Sequence, residues 1–591
     1  MQLDFRNTNT LWSSILVETL YRLGLTTAVV CPGSRSTPLT VAFASHPNIE
    51  TIPILDERSA SFFALGMAKR SHLPVALICT SGTAGANFYP AVIEAQESRV
   101  PLLILTADRP PELRNCHAGQ TIDQVKLYNN YCNWYTELSL PSLEMKLLHY
   151  LRQTIISAWD TSLFPYGGVV HLNCPFREPL APIIDPKIEP LFSEINFDKF
   201  FHNIYSGDKK LIGEYYLHDY INHWLSKNKG IIIAGVVNSY NTYLYCNQIS
   251  YLSTLLNYPV LGEALSPLRN NANNFPNLIN TYDTILRNSK IAKKLLPDVV
   301  IQVGEFPTSK ELRRWLENIQ VEHFIIDIRP DNLDPIHNNT HYIRADIHDL
   351  DMEFNDEYLP QKPDLSYLKE WKNVNKYINK NIRKYFVSSK YLLEAKLPFL
   401  LSKSLPEKTP IFIANSMPVR YAEFFWMPNN RQLMPYFNRG ANGIEGTLST
   451  ALGMAYKEQS SILVTGDLAL LHDTNGWLIS NKFQGHLTVI LINNNGGGIF
   501  EMLPISTDES LFEDYFATPQ NINFSELCAT YKIEHININS WTELTRLLNP
   551  LPSTGIRVLE LATNRKKDAL WLQNNLPKFA NSAALDETGK S

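Results

Sequence analysis

The feature that most constrains the fold of this chain is a repeated alternation of short apolar runs with stretches of helical periodicity. Within residues 8–175 the helical pattern begins with Trp12, Ile15 and Leu16. The apolar runs that follow are residues 28–31, 52–55, 75–80, 102–106 and 169–172. Strands that alternate with helices form a parallel sheet covered by helices on both faces. The first part of the chain is therefore predicted to be a doubly wound α/β domain.

The same alternation occurs twice more. The second set of apolar runs comprises residues 230–234, 259–262, 299–303, 324–328 and 342–345, and the third comprises 411–414, 461–465, 488–492 and 558–561. We interpret residues 185–215 as a linker, and a polar stretch at 351–385 precedes the third set. A hydrophobic core stops growing at roughly 250–300 residues, so a chain of 591 residues needs more than one domain. We predict three, at residues 1–185, 210–350 and 385–570.

Composition excludes several classes of function. The formal net charge of -5 argues against a nucleic-acid partner, which would require a basic surface. The seven cysteines are scattered and contain no Cys-x-x-Cys pair, so we expect reduced, mostly buried thiols. No apolar run reaches the ~20 residues of a membrane helix, and the N-terminus lacks a signal-peptide pattern. We expect a soluble protein of a bacterial cytoplasm or a plastid stroma.

An internal similarity links the first and third blocks. The sequence Ala-Leu-Gly-Met-Ala occupies residues 64–68 and again residues 451–455, and each copy precedes a strand-like run. Five common residues also match by chance, so the alternative stays open. If the match is real, the first and third domains are relatives, and a ligand is expected at the carboxyl ends of their strands.

Polar residues follow two predicted strands of the third block. Asp467 comes directly after one strand, and Asn494 and Gly496 come after the next. Mg²⁺ takes oxygen ligands in octahedral geometry and is commonly held by one or two protein groups plus phosphates. Asp467, the Asn494 side chain and the Gly496 carbonyl are therefore candidate metal ligands. Taken one at a time, these motifs are equally typical of ordinary turns.

The separation of Asp467 from Asn494 resembles the metal and diphosphate signature of thiamin-diphosphate-dependent enzymes, although Leu468 replaces the usual glycine. The resemblance implies a catalytic glutamate in the other cofactor-binding domain, and Glu57 is the candidate. An acidic residue in the first turn of a helix is also common for dipole reasons alone. The remaining cofactor-binding candidates that the resemblance implies are Ser81, Gly82, Thr83, Ile444, Gly466 and Phe500. The metal is expected to be Mg²⁺, with Mn²⁺ as a substitute.

A longer series of motifs narrows the resemblance. The motifs are residues 32–38, 56–58, 80–84, 106–113, 415–416, 438–441, 466–468 and 493–497. In this order they are similar to those of the 2-succinyl-5-enolpyruvyl-6-hydroxy-3-cyclohexene-1-carboxylate synthase family of menaquinone and phylloquinone biosynthesis. That resemblance implies a transferase that decarboxylates 2-oxoglutarate and adds the remaining succinyl carbanion equivalent to isochorismate.

Both of these substrates are dicarboxylates, and arginine recognises carboxylates through paired hydrogen bonds. The substrate-binding residues that the resemblance implies are Ser34, Arg35, Arg109, Gln120, Lys310, Ser416, Arg420 and Arg439. Each arginine taken alone could equally form a structural salt bridge. Two departures from the family pattern leave the detailed substrate geometry open: Gly119 stands where the family can have an asparagine, and Glu311 stands where it can have a basic residue. Four arginines of the middle block could bind an acidic effector or be solvated, namely Arg269, Arg313, Arg314 and Arg329.

The alternatives are another thiamin-dependent lyase or ligase, such as an acetolactate-synthase-like enzyme, and a non-catalytic cofactor-binding protein. A Rossmann dehydrogenase is disfavoured because no Gly-x-Gly-x-x-Gly follows the first strand. The resemblance also implies a homodimer or homotetramer, because the family builds each active site across a subunit interface.

Overall fold

The computed structural model describes residues 3–188, 196–202, 204, 217–237, 239–350 and 364–585. Within these residues the chain forms three six-stranded sheets, and the strand pairings in all three are parallel. The fold is therefore α/β with three parallel sheets, which confirms the predicted fold class.

The first sheet contains β1 (Thr27–Val30), β2 (Glu50–Pro53), β3 (Val75–Cys79), β4 (Leu102–Asp108), β5 (Trp134–Glu137) and β6 (Val169–Pro175). The second contains β7 (Gly230–Ala234), β8 (Val260–Gly262), β9 (Leu278–Ile279), β10 (Val299–Val303), β11 (Glu322–Ile326) and β12 (Asn339–Ile343). The third contains β13 (Pro410–Ile413), β14 (Met434–Tyr436), β15 (Ser461–Gly466), β16 (His486–Asn493), β17 (Glu534–Asn537) and β18 (Gly555–Ala562).

The α-helices connect these strands. In chain order they are α1 (Thr8–Leu23), α2 (Thr37–Ser45), α3 (Glu57–Ser71), α4 (Thr83–Asn87), α5 (Tyr89–Glu97), α6 (Met145–Leu163), α7 (Phe197–Phe200), α8 (His218–Leu225), α9 (Thr242–Leu256), α10 (Tyr282–Leu286), α11 (Ser289–Lys294), α12 (Lys310–Glu317), α13 (Ser366–Ser388), α14 (Lys396–Ser404), α15 (Met417–Phe425), α16 (Thr447–Ala455), α17 (Asp467–Leu471), α18 (Glu509–Phe512), α19 (Phe524–Thr530), α20 (Trp541–Leu548) and α21 (Arg565–Leu585).

The order of strands shows which sheets are related. The first sheet runs β2-β1-β3-β4-β6-β5 and the third runs β14-β13-β15-β16-β18-β17, so the two have the same order. The second sheet runs β12-β11-β10-β7-β8-β9, a different order. The predicted kinship of the first and third domains is therefore present in their topology, and the middle domain is a different doubly wound sheet.

The chain packs into two compact units. The first comprises Met1–Leu211, Asn438–Glu458 and Leu471–Gln484, and the second comprises Ile212–Phe437, Gln459–Leu470 and Gly485–Ser591. In the first unit a core that includes Trp12, Phe43 and Trp159 lies between the sheet and helices α1, α2 and α6. In the second unit separate cores cover the faces of the two sheets.

The two copies of Ala-Leu-Gly-Met-Ala lie on α3 and α16, which cross within the first unit. A Cβ on Gly66 would lie 2.0 Å from the Thr450 carbonyl oxygen, and a Cβ on Gly453 would lie 2.0 Å from the Phe63 carbonyl oxygen. In each copy the carbonyl belongs to the residue three positions before the glycine. The crossing is therefore locally two-fold symmetric, and the repeat occurs where only glycine lets the backbones approach.

Four strands were not predicted from the sequence, namely β5, β9, β14 and β17. All four lie at sheet edges. Edge strands are short and need no continuous apolar run, because one side of each has no neighbouring strand. The other two edge strands, β2 and β12, begin two and three residues earlier than predicted.

The polar stretch at residues 351–385 contains part of a helix that was not predicted from the sequence. Residues 351–363 lie outside the described part of the chain, but α13 forms a helix over the remainder. Trp371, Ile378, Ile382 and Phe386 are buried at helical spacing on it. The stretch looked polar because only one stripe of this helix is apolar. Much of the predicted linker at 185–215 also lies outside the described residues.

Among the described residues, no helix combines the length and apolar character that a membrane span requires. The seven cysteines are unpaired; five are buried, Cys132 is half-buried and Cys116 is exposed.

Candidate active site

Asp467 lies where β15 ends and α17 begins, at the carboxyl edge of the third sheet. Its Oδ1 accepts a hydrogen bond from the Leu468 backbone N–H at 2.9 Å, and its Oδ2 accepts one from the Gly496 N–H at 2.8 Å. Burial nevertheless raises the pKa of the Asp467 carboxyl. A cation bound nearby would stabilise the ionised carboxylate and so offset the free-energy cost of burying its charge.

The loop after β16 brings Asn494 and Gly496 to this carboxylate. Gly496 has a φ of 136°, and a Cβ there would lie 2.4 Å from the Ala517 carbonyl oxygen. Asn494 is buried, and its Nδ2 donates to Glu394 Oε1 at 2.7 Å. Within the described residues, Asn494 Oδ1 is buried without a hydrogen-bond partner. An orphaned buried oxygen is costly unless a ligand takes it.

On the side of its amide nitrogen, Asn494 contacts a hydrogen-bonded group of three residues that belong to none of the sequence motifs, namely Glu394, Thr563 and Asp568. Glu394 is 2 % exposed, Thr563 Oγ1 donates to its Oε1 at 3.0 Å, and Asp568 Oδ1 accepts its backbone N–H at 2.9 Å. Burial, followed by the charge of Asp568, raises the pKa of Glu394. These residues come from segments far apart in the chain, so sequence spacing could not reveal them.

The predicted ligands fit a hard cation such as Mg²⁺. They offer one carboxylate, one buried amide oxygen and one carbonyl, which are all oxygen donors. In the part of the chain that the structure describes, no three His, Cys, Asp or Glu side chains cluster so that they alone could hold a metal ion. A metal held here would complete its shell with phosphate oxygens and water.

The remaining cofactor-site candidates of the second unit lie close by. Gly466 ends β15, and a Cβ there would meet nothing within 4 Å. Leu468 lies in α17 and is not among the residues with positive φ, so replacing the family glycine there needs no strained backbone. Phe500 donates its N–H to the Gly497 carbonyl and packs edge-on against Phe516 at 5.9 Å.

Ser416 follows β13 and has a φ of 70° and a ψ of -128°, a conformation that a non-glycine residue rarely adopts. Arg420 NH1 donates to the Ser416 carbonyl at 2.6 Å, which joins these two predicted substrate residues. Strained residues of this kind cluster at functional sites.

Lys310 is exposed and is the first residue of α12. Among the described residues, it makes no contact with another predicted site residue. Its neighbour Glu311 pairs with Arg314 at 3.3 Å and lies 3.7 Å from Arg287. The acidic departure at position 311 is therefore offset locally by two arginines.

In the first unit, Glu57 is the first residue of α3 and follows β2 at the carboxyl edge of the sheet. The neighbouring Asp56 caps the helix, pairs with Arg58 and accepts a hydrogen bond from Asn475 Nδ2 at 2.7 Å. The Arg58 hydrogen bond lowers the pKa of Asp56 to about 2. Glu57 is half-buried, and no side-chain partner holds it among the described residues.

The loop after β3 is held by two glutamines. Ser81 Oγ donates to the Gln120 carbonyl, Gln120 Nε2 donates to the Ser81 carbonyl, and both distances are 3.0 Å. The Gly82 N–H, at a φ of 87°, donates to Gln124 Oε1 at 2.9 Å. Thr83 then begins α4. The structure thus brings Gln120 to the predicted Ser81–Thr83 loop and adds Gln124, which sequence reasoning missed.

Arg35 and Arg109 are close enough to influence each other. Burial, and then the charge of Arg109, lowers the pKa of Arg35. Arg35 is 6 % exposed, donates to the Phe176 carbonyl and lies 3.3 Å from Glu178, whereas Arg109 donates to the Gly119 carbonyl. Two guanidinium groups within range of each other are a candidate site for an anion, although Glu178 already offsets part of the Arg35 charge. Ser34 precedes them and is exposed.

The Gly119 departure has a simple structural meaning. Arg109 donates a hydrogen bond to the backbone carbonyl of Gly119, which any residue would provide. A Cβ on Gly119 would meet nothing within 4 Å. The family asparagine could be accommodated without displacing a neighbour.

Arg439 and Ile444 lie on the loop before α16, in the first unit. Glu94, a buried residue of α5, accepts hydrogen bonds from the Gly440 N–H at 3.1 Å and the Ala441 N–H at 2.7 Å and so holds this loop. Ile444 is half-buried rather than a core residue. An apolar side chain on a loop is thus available to a ligand.

The arginines of the middle domain have structural partners. Arg269 is fully buried and pairs with Glu423 at 3.0 Å, and Arg329 pairs with Asp327 and Glu305. Arg314 pairs with Glu311, and Arg313 lies over the Phe306 ring. The interpretation of Arg269 as a solvated residue is therefore wrong, because its guanidinium is buried against Glu423.

Three family models match the chain along its length. They are the thiamine pyrophosphate enzyme N-terminal TPP binding domain at residues 12–127, the middle domain of thiamine pyrophosphate enzymes at 204–413, and the C-terminal TPP binding domain at 416–558. The chain therefore belongs to the thiamine pyrophosphate (thiamin diphosphate) enzymes.

Curated relatives narrow the family. Two of them are named 2-succinyl-5-enolpyruvyl-6-hydroxy-3-cyclohexene-1-carboxylate synthase. The protein of Crocosphaera subtropica is 75% identical to this chain, and the match covers 98% of this chain and 99% of the relative. The protein of Gloeothece citriformis is 62% identical, and the match covers 98% of this chain and 100% of the relative. Within the thiamin diphosphate enzymes, the chain is a member of this synthase family, which confirms the family resemblance found in its motifs.

A solved structure shows the same fold at greater distance. The thiamine diphosphate-dependent 4-hydroxybenzoylformate decarboxylase of Rhodococcus jostii RHA1 has a TM-score of 0.67 and 15% identity, covering 94% of this chain and 99% of that one. The fold is shared although few residues are.

Proposed function

We propose that this chain decarboxylates 2-oxoglutarate and adds the remaining succinyl unit to isochorismate, as a transferase that uses thiamin diphosphate and Mg²⁺. The names of its relatives support the product, and the motif resemblance supports the two substrates. The observation that carries the cofactor proposal is the buried Asn494 Oδ1, which has no partner among the described residues and lies on the loop that binds Asp467.

When bound, thiamin diphosphate supplies the electron sink that lets a 2-oxo acid lose CO₂. Asp467, the Asn494 oxygen and the Gly496 carbonyl would hold the metal that binds its diphosphate. Mn²⁺ offers the same ligand preference and is expected to substitute. Gly466, Leu468 and Phe500 would complete the cofactor site of the second unit.

In the first unit, we assign Glu57 the role of hydrogen-bonding N1′ of the cofactor's aminopyrimidine and holding a proton there. A half-buried carboxyl with no side-chain partner among the described residues is available for this role. The hydrogen-bonded loop of Ser81, Gly82 and Thr83 and the loop residue Ile444 would contact the cofactor.

Substrate carboxylates would bind to the cationic residues. Arg35 and Arg109, which are close enough for their charges to interact, would form one anion site with Ser34 and Gln120 as its polar groups. We also assign Arg439, Ser416, Arg420 and Lys310 to substrate binding. Holding both acids in place converts a bimolecular bond formation into an effectively unimolecular one.

The test is to incubate the purified chain with thiamin diphosphate, Mg²⁺, 2-oxoglutarate and isochorismate and to follow the product by mass. We expect a product that requires both acids. Turnover of pyruvate instead would indicate an acetolactate-synthase-like enzyme, and absence of any turnover with cofactor bound would indicate a non-catalytic protein. Glu144→Gln, at an exposed glutamate before α6, controls for purification effects in the Glu57→Gln variant.

We further propose a homodimer or homotetramer, as the family resemblance implies. Glu57 and Asp467 lie in different compact units of the chain. Light scattering after gel filtration distinguishes these states from a monomer, which would contradict the proposal.

A further inference from the structure

The side chain of Asn494 has a hydrogen-bond partner at one end of its amide and, among the described residues, none at the other. Its Nδ2 lies 2.7 Å from Glu394 Oε1, whereas its Oδ1 is buried and has no partner in the described part of the chain. An asparagine amide offers a donor at one end and an acceptor at the other. Which end faces the metal site therefore depends on what lies behind it.

Glu394 presents an acceptor to Asn494. Its Oε1 takes hydrogen bonds from both Asn494 Nδ2 and Thr563 Oγ1, at 2.7 and 3.0 Å. An oxygen that receives two donors acts as an acceptor whether or not the other carboxyl oxygen carries a proton. The amide NH₂ must then face Glu394, and the amide oxygen must face away from it.

Glu394 is itself held in place. It is 2 % exposed, and its backbone N–H donates to Asp568 Oδ1 at 2.9 Å. Asp568 also accepts from the Asn564 N–H at 3.4 Å, which ties this contact to the start of α21. Glu394 therefore has little freedom to turn with Asn494 if the amide flips.

We propose that Glu394 is a positioning residue for the metal site: it holds the Asn494 amide so that Oδ1, and not Nδ2, is presented to the cation. The inference rests on the proposed Mg²⁺ site of Asp467, Asn494 and Gly496. Groups that orient metal ligands in this way commonly change metal affinity by 10- to 100-fold when they are removed.

The direct test replaces Glu394 by methionine, which has a similar length and only a weakly accepting sulfur in place of the carboxylate. Mn²⁺ affinity of the full-length protein is measured by the electron paramagnetic resonance signal of free Mn²⁺ at saturating thiamin diphosphate. We expect Glu394→Met to bind Mn²⁺ about 10- to 100-fold more weakly than the parent. Glu423→Gln is the matched control, because Glu423 is another buried carboxyl of the same unit and pairs with Arg269. It should melt at a lower temperature yet keep the parent's Mn²⁺ affinity within about twofold.

A second pair of variants tests orientation itself. In Asn494→Asp either oxygen could bind the metal, but the other would face the Glu394 oxygen at hydrogen-bond distance. Adding Glu394→Gln supplies an amide donor to that oxygen. We therefore expect the double variant Asn494→Asp/Glu394→Gln to bind Mn²⁺ at least about 10-fold more tightly than Asn494→Asp alone. A purely structural role for Glu394 predicts no such rescue.

The outcomes separate the two proposals. If the parent binds no Mn²⁺ in the presence of cofactor, the metal site itself is wrong. If the parent binds Mn²⁺ and a folded Glu394→Met matches it within about twofold, the positioning role is wrong. If Glu394→Met does not fold, the second pair decides, and equal affinities of Asn494→Asp and the double variant overturn the inference.

Discussion

The first and third sheets have the same strand order, yet different residue types follow their strands. Arg35, Glu57 and Arg109 follow strands of the first sheet, whereas Ser416, Asp467 and Asn494 follow strands of the third. The first set suits carboxylate binding and proton holding, and the second suits a metal and a diphosphate. With the proposed roles, one sheet topology carries two chemistries, because the loops at the carboxyl edge can change without changing the strands.

The largest change in activity or metal affinity should come from replacing Glu57, beside the first sheet, or Asp467, beside the third. Glu57→Gln should lower turnover by about 10²- to 10⁴-fold, the range typical of a lost proton-transfer group, while leaving Mn²⁺ affinity nearly unchanged. Asp467→Asn should instead weaken Mn²⁺ binding. Steady-state kinetics and the resonance titration check the division. Equal loss of Mn²⁺ affinity in both variants would break the comparison.

The crossing of α3 and α16 is symmetric in its geometry, and a pair of variants tests whether the two glycines also contribute equally to stability. Gly66→Ala and Gly453→Ala each place a Cβ 2.0 Å from a backbone carbonyl oxygen, which cannot move as a side chain would. Overpacking typically costs about 1–3 kcal/mol, and we expect the upper end of that range because the clash is with backbone. We expect similar decreases in the urea midpoint of the first unit for both variants. Gly119→Ala is the control, since its Cβ would meet nothing within 4 Å.

A smaller effect should appear as a pH dependence. Asp473 is buried in the first unit and accepts hydrogen bonds from the Ser449 N–H and hydroxyl, but burial raises the pKa of its carboxyl to about 6. A raised carboxyl pKa means that the native state binds more protons than the unfolded state between about pH 4 and 6. This group should therefore remove up to about 3 kcal/mol of stability as pH rises through that window.

The measurement is the difference in unfolding free energy between the parent and Asp473→Asn at pH 4.5 and pH 7. The asparagine variant should lose less stability on going to pH 7, because it cannot ionise. If the two proteins show the same pH slope, Asp473 does not titrate as its burial indicates.

The smallest effect concerns two loops with similar backbone conformations. Gly82 has a φ of 87° and a ψ of -143°, and Ser416 has a φ of 70° and a ψ of -128°. Glycine adopts this region freely, whereas serine is strained there by roughly 1–3 kcal/mol. Ser416→Gly should therefore stabilise the second unit by about 1 kcal/mol after the added chain entropy, with lower turnover if Ser416 contacts substrate. Gly82→Ser should destabilise the first unit, and thermal melts of both variants check the pair.

Much of the fold was predictable because interior strands of parallel sheets are buried on both faces and read as continuous apolar runs. β7 and β10 match their predicted bounds, and β4, buried throughout, was found although it extends two residues further. β17, by contrast, reads Glu-His-Ile-Asn with its terminal residues exposed and carries no such run. The strands that the sequence could not reveal are therefore those at the sheet edges, and edge position depends on the order of strands in space.

The candidate site divides in the same way. Asp467, Asn494 and Gly496 could be predicted because chain spacing places them on adjacent strands, and β15 and β16 are indeed neighbours. Glu94 and Glu394 could not, because each acts on a loop roughly a hundred or more residues away, reached only through packing. The roles of all of these residues stay predictions until the variants are measured.

By itself the sequence determined the parallel α/β class, the duplicated helix segment and the motifs of the thiamin diphosphate enzymes, because these depend on local periodicity and on residues close in the chain. Only the tertiary structure decided that Arg269 is buried against Glu423, that Gly66 and Gly453 lie at one crossing, and that Glu394 stands behind Asn494. Those facts depend on which distant segments meet in the core, and burial there gives a charge or an orphaned oxygen its energetic consequence.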